Sequence, residues 1–241
     1  MLLIKLCVLL TVGVRFSIYP EWFKRMPLVD DTIYAVGYSY KSVLHPENSV
    51  EEAFRNLRVN LSLFRESQVE AQWEFIQKGY ETALVGGGYR ESFDDTIAPG
   101  EIEVVDTQIT GDMCVLLGKV YCPSAKSGAV ITRKWWEELP DDKDFIYAVG
   151  ASPMYYHEES SWLMAERDAR SNLAFSVVFN VESSIKRDYR GIEKVVREKV
   201  KDVTLRCVQL VAREVVPVSG SKICYVLLRV PKDAVMNNSG R

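Results

Sequence analysis

The chain has 241 residues, 47% of them hydrophobic and 26% charged, with a formal net charge of -3. That balance excludes disordered, collagen-like and multi-span membrane proteins, and a pI of 5.6 supplies no overall electrostatic pull toward nucleic acid. With only 2 histidines, there is little material for His-based catalysis or metal binding.

Residues 1–14 are apolar apart from Lys5, and Arg15 closes the run Leu6–Val14. A membrane-spanning helix needs about 20 apolar residues, so this run is too short to cross. It fits a secretory leader, with Lys5 as the positive start and Thr11-Val12-Gly13 as a small-x-small cleavage pattern. A leader over 1–17, and with it export, is the expectation; the alternative is a buried first strand of a cytosolic domain. Cys7 lies inside the apolar run behind Ile4-Lys5-Leu6, where a lipid-anchored cysteine would need small residues, so it is not read as an anchor.

Further along, Thr32–Tyr40 reads as a β-branched and aromatic strand, followed by the loop His45-Pro46-Glu47. Ser49 and Glu52 form a capping box, and Ala53, Leu57, Leu61 and Phe64 make the apolar stripe of a helix. Val69, Ala71, Trp73 and Phe75 alternate with polar residues as a half-buried strand does. Gly86-Gly87-Gly88 lacks the Lys and Ser/Thr of a phosphate loop and reads as a flexible turn. Residues 101–110 and 112–122 predict a hairpin around Gly111-Asp112, and Pro123–Gly128 a short linker.

The order then repeats. Phe145–Ser152 is a strand, Ala165, Ala169 and Leu173 mark a helix, and Ile192–Lys201 predicts a second helix through Ile192, Val195, Val196 and Val200. Residues 203–217 and 222–230 predict a closing hairpin around Ser219-Gly220. Cys114 and Cys122, on one strand, are too far apart to bond each other. The even set Cys114, Cys122, Cys207 and Cys224 is compatible with disulfides, and buried free thiols are the preferred reading.

Ile33-Tyr34-Ala35-Val36-Gly37 recurs as Ile146-Tyr147-Ala148-Val149-Gly150. In the same register Trp22, Pro27, Asp31 and Ser39 meet Trp135, Pro140, Asp144 and Ser152. After a one-residue gap, His45, Glu47, Ser49, Ala53, Arg55, Arg58, Asn60 and Leu61 meet His157, Glu159, Ser161, Ala165, Arg167, Arg170, Asn172 and Leu173. Such a long period implies a duplicated domain rather than a solenoid. The expected organisation is a first domain at 18–123, a linker at 124–130, a second domain at 131–235 and a tail at 236–241. The expected fold class is α+β: two homologous β-α-β-α-β-β domains, each with helices on one face of a largely antiparallel sheet.

The pattern of Trp22, Pro27, Tyr34–Gly37 and Ala53-x-Arg55-x-x-Arg58-x-Asn60-Leu61, present again from Trp135 to Leu173, resembles the LPP-twenty family of bacterial envelope lipoproteins. The resemblance covers about a third of the chain. It implies secretion, peripheral association with the outer membrane or cell surface, and a non-enzymatic role with a protein or envelope component as partner. The chain departs from that family in lacking a lipobox and in carrying the domain twice.

The candidate binding residues lie in the strand-to-helix loops. His45 with Glu47 and His157 with Glu159 place one imidazole and one carboxylate in each copy, a set that could hold zinc across a pseudo-twofold. The preferred reading is structural, since carboxylates are favoured at helix N-termini, and neither metal nor cofactor is expected. Tyr38 and Tyr40, then Tyr155, Tyr156 and Trp162, bring aromatic contact area to the same loops, for recognition or for packing. The pairs Arg55/Arg58 and Arg167/Arg170 could grip an anionic partner such as lipid headgroups or a carboxylate, and the preferred reading is a solvated helix face bridged to nearby acids. No nucleophile elbow, H-E-x-x-H or paired C-x-x-C is present, so no catalytic residue is expected. Two functions remain in view: an envelope protein acting in binding or assembly, and a periplasmic small-ligand-binding protein with a cleft between its domains. A deep apolar cleft holding both histidines would favour the second, and a flat exposed aromatic face the first.

Overall fold

The computed structural model describes residues 19–41, 45–78, 81–94, 97–110, 113–129, 131–182 and 194–236. The first half runs α1 (Glu21–Lys24), β1 (Thr32–Tyr40), α2 (Pro46–Arg65), β2 (Glu66–Lys78), β3 (Glu81–Ser92), β4 (Glu103–Thr110) and β5 (Met113–Tyr121). The second runs β6 (Phe145–Pro153), α3 (Glu158–Glu182), β7 (Lys194–Arg206), β8 (Gln209–Val218), β9 (Ser221–Pro231) and α4 (Lys232–Met236). The ladders between these strands are antiparallel, and the fold is α+β. No described helix is long and apolar enough to cross a membrane.

Two sheets have the same construction. In β1-β5-β4 the central strand sets Gly37 opposite Leu116; in β6-β9-β8 Gly150 stands opposite Val226. Each outer strand carries a bulge at the matching point, between Val104 and Asp106 and between Leu210 and Ala212. The residues that occur twice build the helix-on-sheet contact. Ala53 and Ala165 set their carbonyls directly over Gly37 and Gly150, and a Cβ at those glycines would stand 1.9 and 2.1 Å from the oxygens. Asn60 donates its side-chain amide to the Val36 carbonyl at 2.7 Å, and Asn172 to the Val149 carbonyl at 2.9 Å. Leu61 and Leu173 are fully buried. Gly150→Ala must push α3 off its sheet, and an overpacking cost of about 1–3 kcal/mol is expected. A lowered urea midpoint with an unchanged slope would check it.

A third sheet, β3-β2-β7, takes strands from both halves, and β2 pairs with β7 from Glu66↔Arg206 to Gln77↔Lys194. One hydrophobic cluster likewise draws Val36, Leu57 and Val115 together with Trp162, Ala169 and Val226. The segment after Pro123 is bonded into the second half: Ala125 is buried, Gln209 donates to the Lys126 carbonyl at 3.0 Å, and Arg229 donates to the carbonyls of Lys126 and Gly128.

Several expectations are corrected. The stretch predicted as a helix, Ile192–Lys201, is strand β7 from Lys194 onward, while Ile192 lies outside the described residues. Its valines satisfy helical spacing, but they are β-branched and the backbone finds a ladder partner in β2. Gly86-Gly87-Gly88 is not a turn: it pairs with Glu74, Trp73 and Gln72 in β3, beside a register shift of the kind glycine accommodates. Residues 203–206 end β7, and the closing hairpin is β8–β9 alone. Helix α2 starts at Pro46, whose fixed φ suits the first helical position, so Ser49 lies inside the helix and not at its cap. The Ser49 carbonyl instead accepts a hydrogen bond from the Ser39 hydroxyl at 2.5 Å.

The cysteines differ as well. Cys122 and Cys207 form a disulfide with Cα atoms 6.1 Å apart, while Cys114 and Cys224 are buried free thiols as expected. Neither bonded cysteine has its partner nearby in sequence. The fold joins them by bringing the residue after β5 to the corner between β7 and β8, where the Cys207 and Val208 amides donate to the Arg65 and Phe64 carbonyls at 3.1 and 2.7 Å.

Candidate functional site

A cavity of about 360 Å³ opens where α1, the start of α3 and the β8–β9 hairpin meet. Its apolar wall is aromatic. Tyr19 stacks on Phe23 with ring centroids 4.2 Å apart, and Trp162 meets Phe23 edge-on at 5.2 Å. The Trp162 indole N–H donates to the Tyr19 hydroxyl at 3.0 Å, so its one polar atom is satisfied. Met154, Val215 and Pro217 complete the apolar lining, and Lys24, Glu158, Glu214 and Lys222 bring charge to it.

Arg213 lies at the cavity with a side chain only 1% exposed. Its guanidinium reaches the Glu166 carboxylate on α3 at 2.6 Å and also donates to the Phe23 carbonyl at 3.3 Å. The Tyr38 hydroxyl, on β1, accepts from Arg213 and donates to Glu166 at 2.5 Å. The guanidinium carbon also stands 4.7 Å from the Phe23 ring centroid, within cation–π range. Burial pushes the Tyr38 phenol well above its usual range; nearby Arg213 opposes this and nearby Glu166 adds to it. The tyrosine therefore stays protonated and can donate. This triad locks the first half of the chain to the second beneath the cavity.

A second cavity, about 320 Å³, lies where α2 hands over to β2, lined by Ser62, Arg65, Glu66, Ser67 and Asp94 among others. Arg65 pairs with Glu101 and Glu66 with Arg206 at its rim, and it has no comparable aromatic wall. The first cavity is the better candidate.

The residues singled out from the sequence fall in three places. Tyr38 is fully buried in the triad. Tyr40, Tyr155 and Tyr156 are exposed by 45, 48 and 94%. His157 lies between two of them, with its ring 5.2 Å from Tyr40 and 5.0 Å from Tyr156, and its Nδ1 is 3.8 Å from the Glu159 carboxylate. His45 stands exposed at the residue before α2, and the Glu47 backbone is in the first turn of that helix while its side chain lies outside the described ones. Neither histidine lines the cavity. Among the described residues, no three of His, Cys, Asp and Glu gather in a way that could hold a metal ion. The loop after β6 therefore has two sides: Met154 faces the cavity, and Tyr156 and His157 form a small exposed patch with Tyr40.

The reading of Arg170 as solvated is corrected. It is buried and makes a two-pronged bond to Glu91 on β3 at 2.7 and 3.0 Å. Arg167 sits over the Tyr89 ring at 4.9 Å.

Sequence reasoning missed Tyr19, Phe23 and Arg213, and it read Trp162 as a loop aromatic. A signal was available in the repeat. In the register of the repeated motif, Trp162 falls where the earlier segment has Val50 and Glu166 where it has Phe54, while Tyr38 falls where the later segment has Ala151; Arg213 matches Thr107 only through the strand registers. The cavity and the triad are thus assembled from positions at which the two matching segments of the sequence differ.

The chain matches no protein-family model, no curated protein and no solved structure.

Proposed function

We propose that this chain is an exported, non-catalytic binding protein of the bacterial cell envelope, of the kind the LPP-twenty-like motifs suggest. In this reading it consists of two copies of one α+β unit, at 18–123 and 131–235, that have diverged where they meet. The Cys122–Cys207 disulfide supports export, because such bonds persist in oxidising compartments and are uncommon in cytosolic proteins.

The observation that carries the binding role is the aromatic cavity between the copies. Its volume falls in the range of roughly 300–1,000 Å³ occupied by small-molecule sites. Stacked rings with a few charges at the lining suit a small ligand with a flat apolar body and a polar end. This favours the small-ligand reading over a purely flat assembly face, although the histidines contribute nothing to the lining.

Titration with anilinonaphthalene sulfonate, followed by its emission and by quenching of tryptophan, is expected to saturate at one site. Val215→Trp fills the cavity from its half-buried wall and is expected to abolish that saturable binding without moving the urea midpoint. Binding that never saturates, or that survives Val215→Trp, would remove the cavity as the site.

A further inference from the structure

The second cavity has the opposite chemistry to the first. It opens at the joint between α2 and β2, beside the end of β3, and holds about 320 Å³. Ser62, in the last turn of α2, and Ser67, at the start of β2, both line it and are both buried. Their hydroxyls have no hydrogen-bond partner among the described residues. Buried hydroxyls are normally paired, and leaving one unpaired carries a desolvation penalty that a bound group can relieve. Each hydroxyl can donate one hydrogen bond and accept others, so the pair matches a ligand that itself both donates and accepts. Gln68 and Ser92, opposite one another across the β2–β3 ladder, and Asp94 just beyond β3 add an amide, a third hydroxyl and a carboxylate to the same lining.

The charges around this cavity do not suit an ion. Arg65 pairs with Glu101 at 3.3 Å and Glu66 with Arg206 at 3.1 Å. Asp94 adds a further negative charge, so acids outnumber bases among these residues and an anion is disfavoured. A metal ion fares no better, because among the described residues no three of His, Cys, Asp and Glu gather to hold one. The half-buried Phe93 gives the lining one ring, against which the C–H groups of a sugar can lie. We infer that this cavity binds a neutral polyol about the size of one sugar ring, whose hydroxyls pair with those of Ser62 and Ser67. The volume lies near the lower end of the roughly 300–1,000 Å³ found for small-molecule sites, which limits the ligand to that size. The site shares no lining residue with the aromatic cavity and does not depend on it.

The probes are glucose, galactose, mannose and N-acetylglucosamine, each added to the intact chain and followed by saturation-transfer NMR. At least one is expected to bind saturably. Ser62→Ala combined with Ser67→Ala is expected to weaken that binding by about tenfold or more, through the hydrogen bonds lost. Because the two hydroxyls are unpaired in the free fold, the same double variant is expected to keep or raise the urea midpoint. Val215→Trp, in the first cavity, is expected to leave the sugar affinity unchanged. No binding of any of these sugars, binding indifferent to the loss of both hydroxyls, or binding lost in Val215→Trp would each overturn the assignment. A lowered midpoint in the double variant would also overturn it, by showing that the hydroxyls are already paired within the chain. Tighter binding of the 6-phosphate ester than of the parent sugar would overturn it by making the ligand an anion.

Discussion

Glu166→Ala is expected to be among the most destabilising single substitutions in this chain, at about 3–5 kcal/mol. The carboxylate is 1% exposed and accepts from both Arg213 and Tyr38. Its removal leaves a guanidinium that is also 1% exposed, with a backbone carbonyl, a phenol and aromatic faces but, among the described residues, no other counter-charge in direct contact. The cost arises from stranding that charge, not from the intrinsic worth of the pair. A second substitution separates these two contributions. Arg213→Met in the Glu166→Ala background removes the stranded charge and fills much of the same volume, so the double variant is expected to be more stable than Glu166→Ala alone. Urea unfolding of both single variants and the double variant, analysed as a cycle, reads the coupling directly. A double variant no better than Glu166→Ala would mean that the charge is not what destabilises the single variant.

The second large effect is expected at the disulfide. Cys122 and Cys207 are separated by 85 residues, and closing so long a loop restrains the unfolded chain. Chain-entropy arguments put the stabilisation at roughly 4–5 kcal/mol, and losses of native disulfides cluster at about 2–5 kcal/mol. Cys122→Ser should therefore lower the midpoints of both thermal and urea unfolding, and reduction of the wild type should reproduce the shift. Because the residues lie at the corners where β5 ends and β8 begins, the loosening is expected to be greatest between the halves. Hydrogen exchange should quicken first in the β2–β7 ladder. Equal stability of the oxidised and reduced chains would argue that the bond contributes little to holding the halves together.

The helix-on-sheet architecture of each half was legible in the sequence because its determinants are local and occur twice. Gly37 and Gly150, Ala53 and Ala165, and Asn60 and Asn172 perform the same contacts in both halves, and the β-branched runs and apolar stripes around them predicted strand followed by helix. The β2–β7 ladder was illegible for a different reason. Val195, Val196 and Val200 fit a helical period as well as a strand, and only a partner more than a hundred residues away decides between them. The triad was hidden in the same way: Tyr38, Glu166 and Arg213 are single polar residues on three separate elements, with nothing in their spacing to join them. Similar long-range assembly conceals the disulfide, since an isolated cysteine does not indicate its partner. The two histidines, conspicuous because they were so few, stand in loops outside the cavity. What the repeated motif could have pointed to was its exceptions, because Tyr38, Trp162 and Glu166 fall where its two occurrences differ.

The most direct measurement is fractionation of cells producing the full chain, followed by intact mass and thiol counting of the recovered protein. Recovery from the cell envelope is expected, without the leader over 1–17, and with Cys122 and Cys207 unreactive until a reductant is added. Recovery from the cytosol with Met1 through Val14 still attached and both cysteines present as thiols would contradict an exported, disulfide-bonded binding protein.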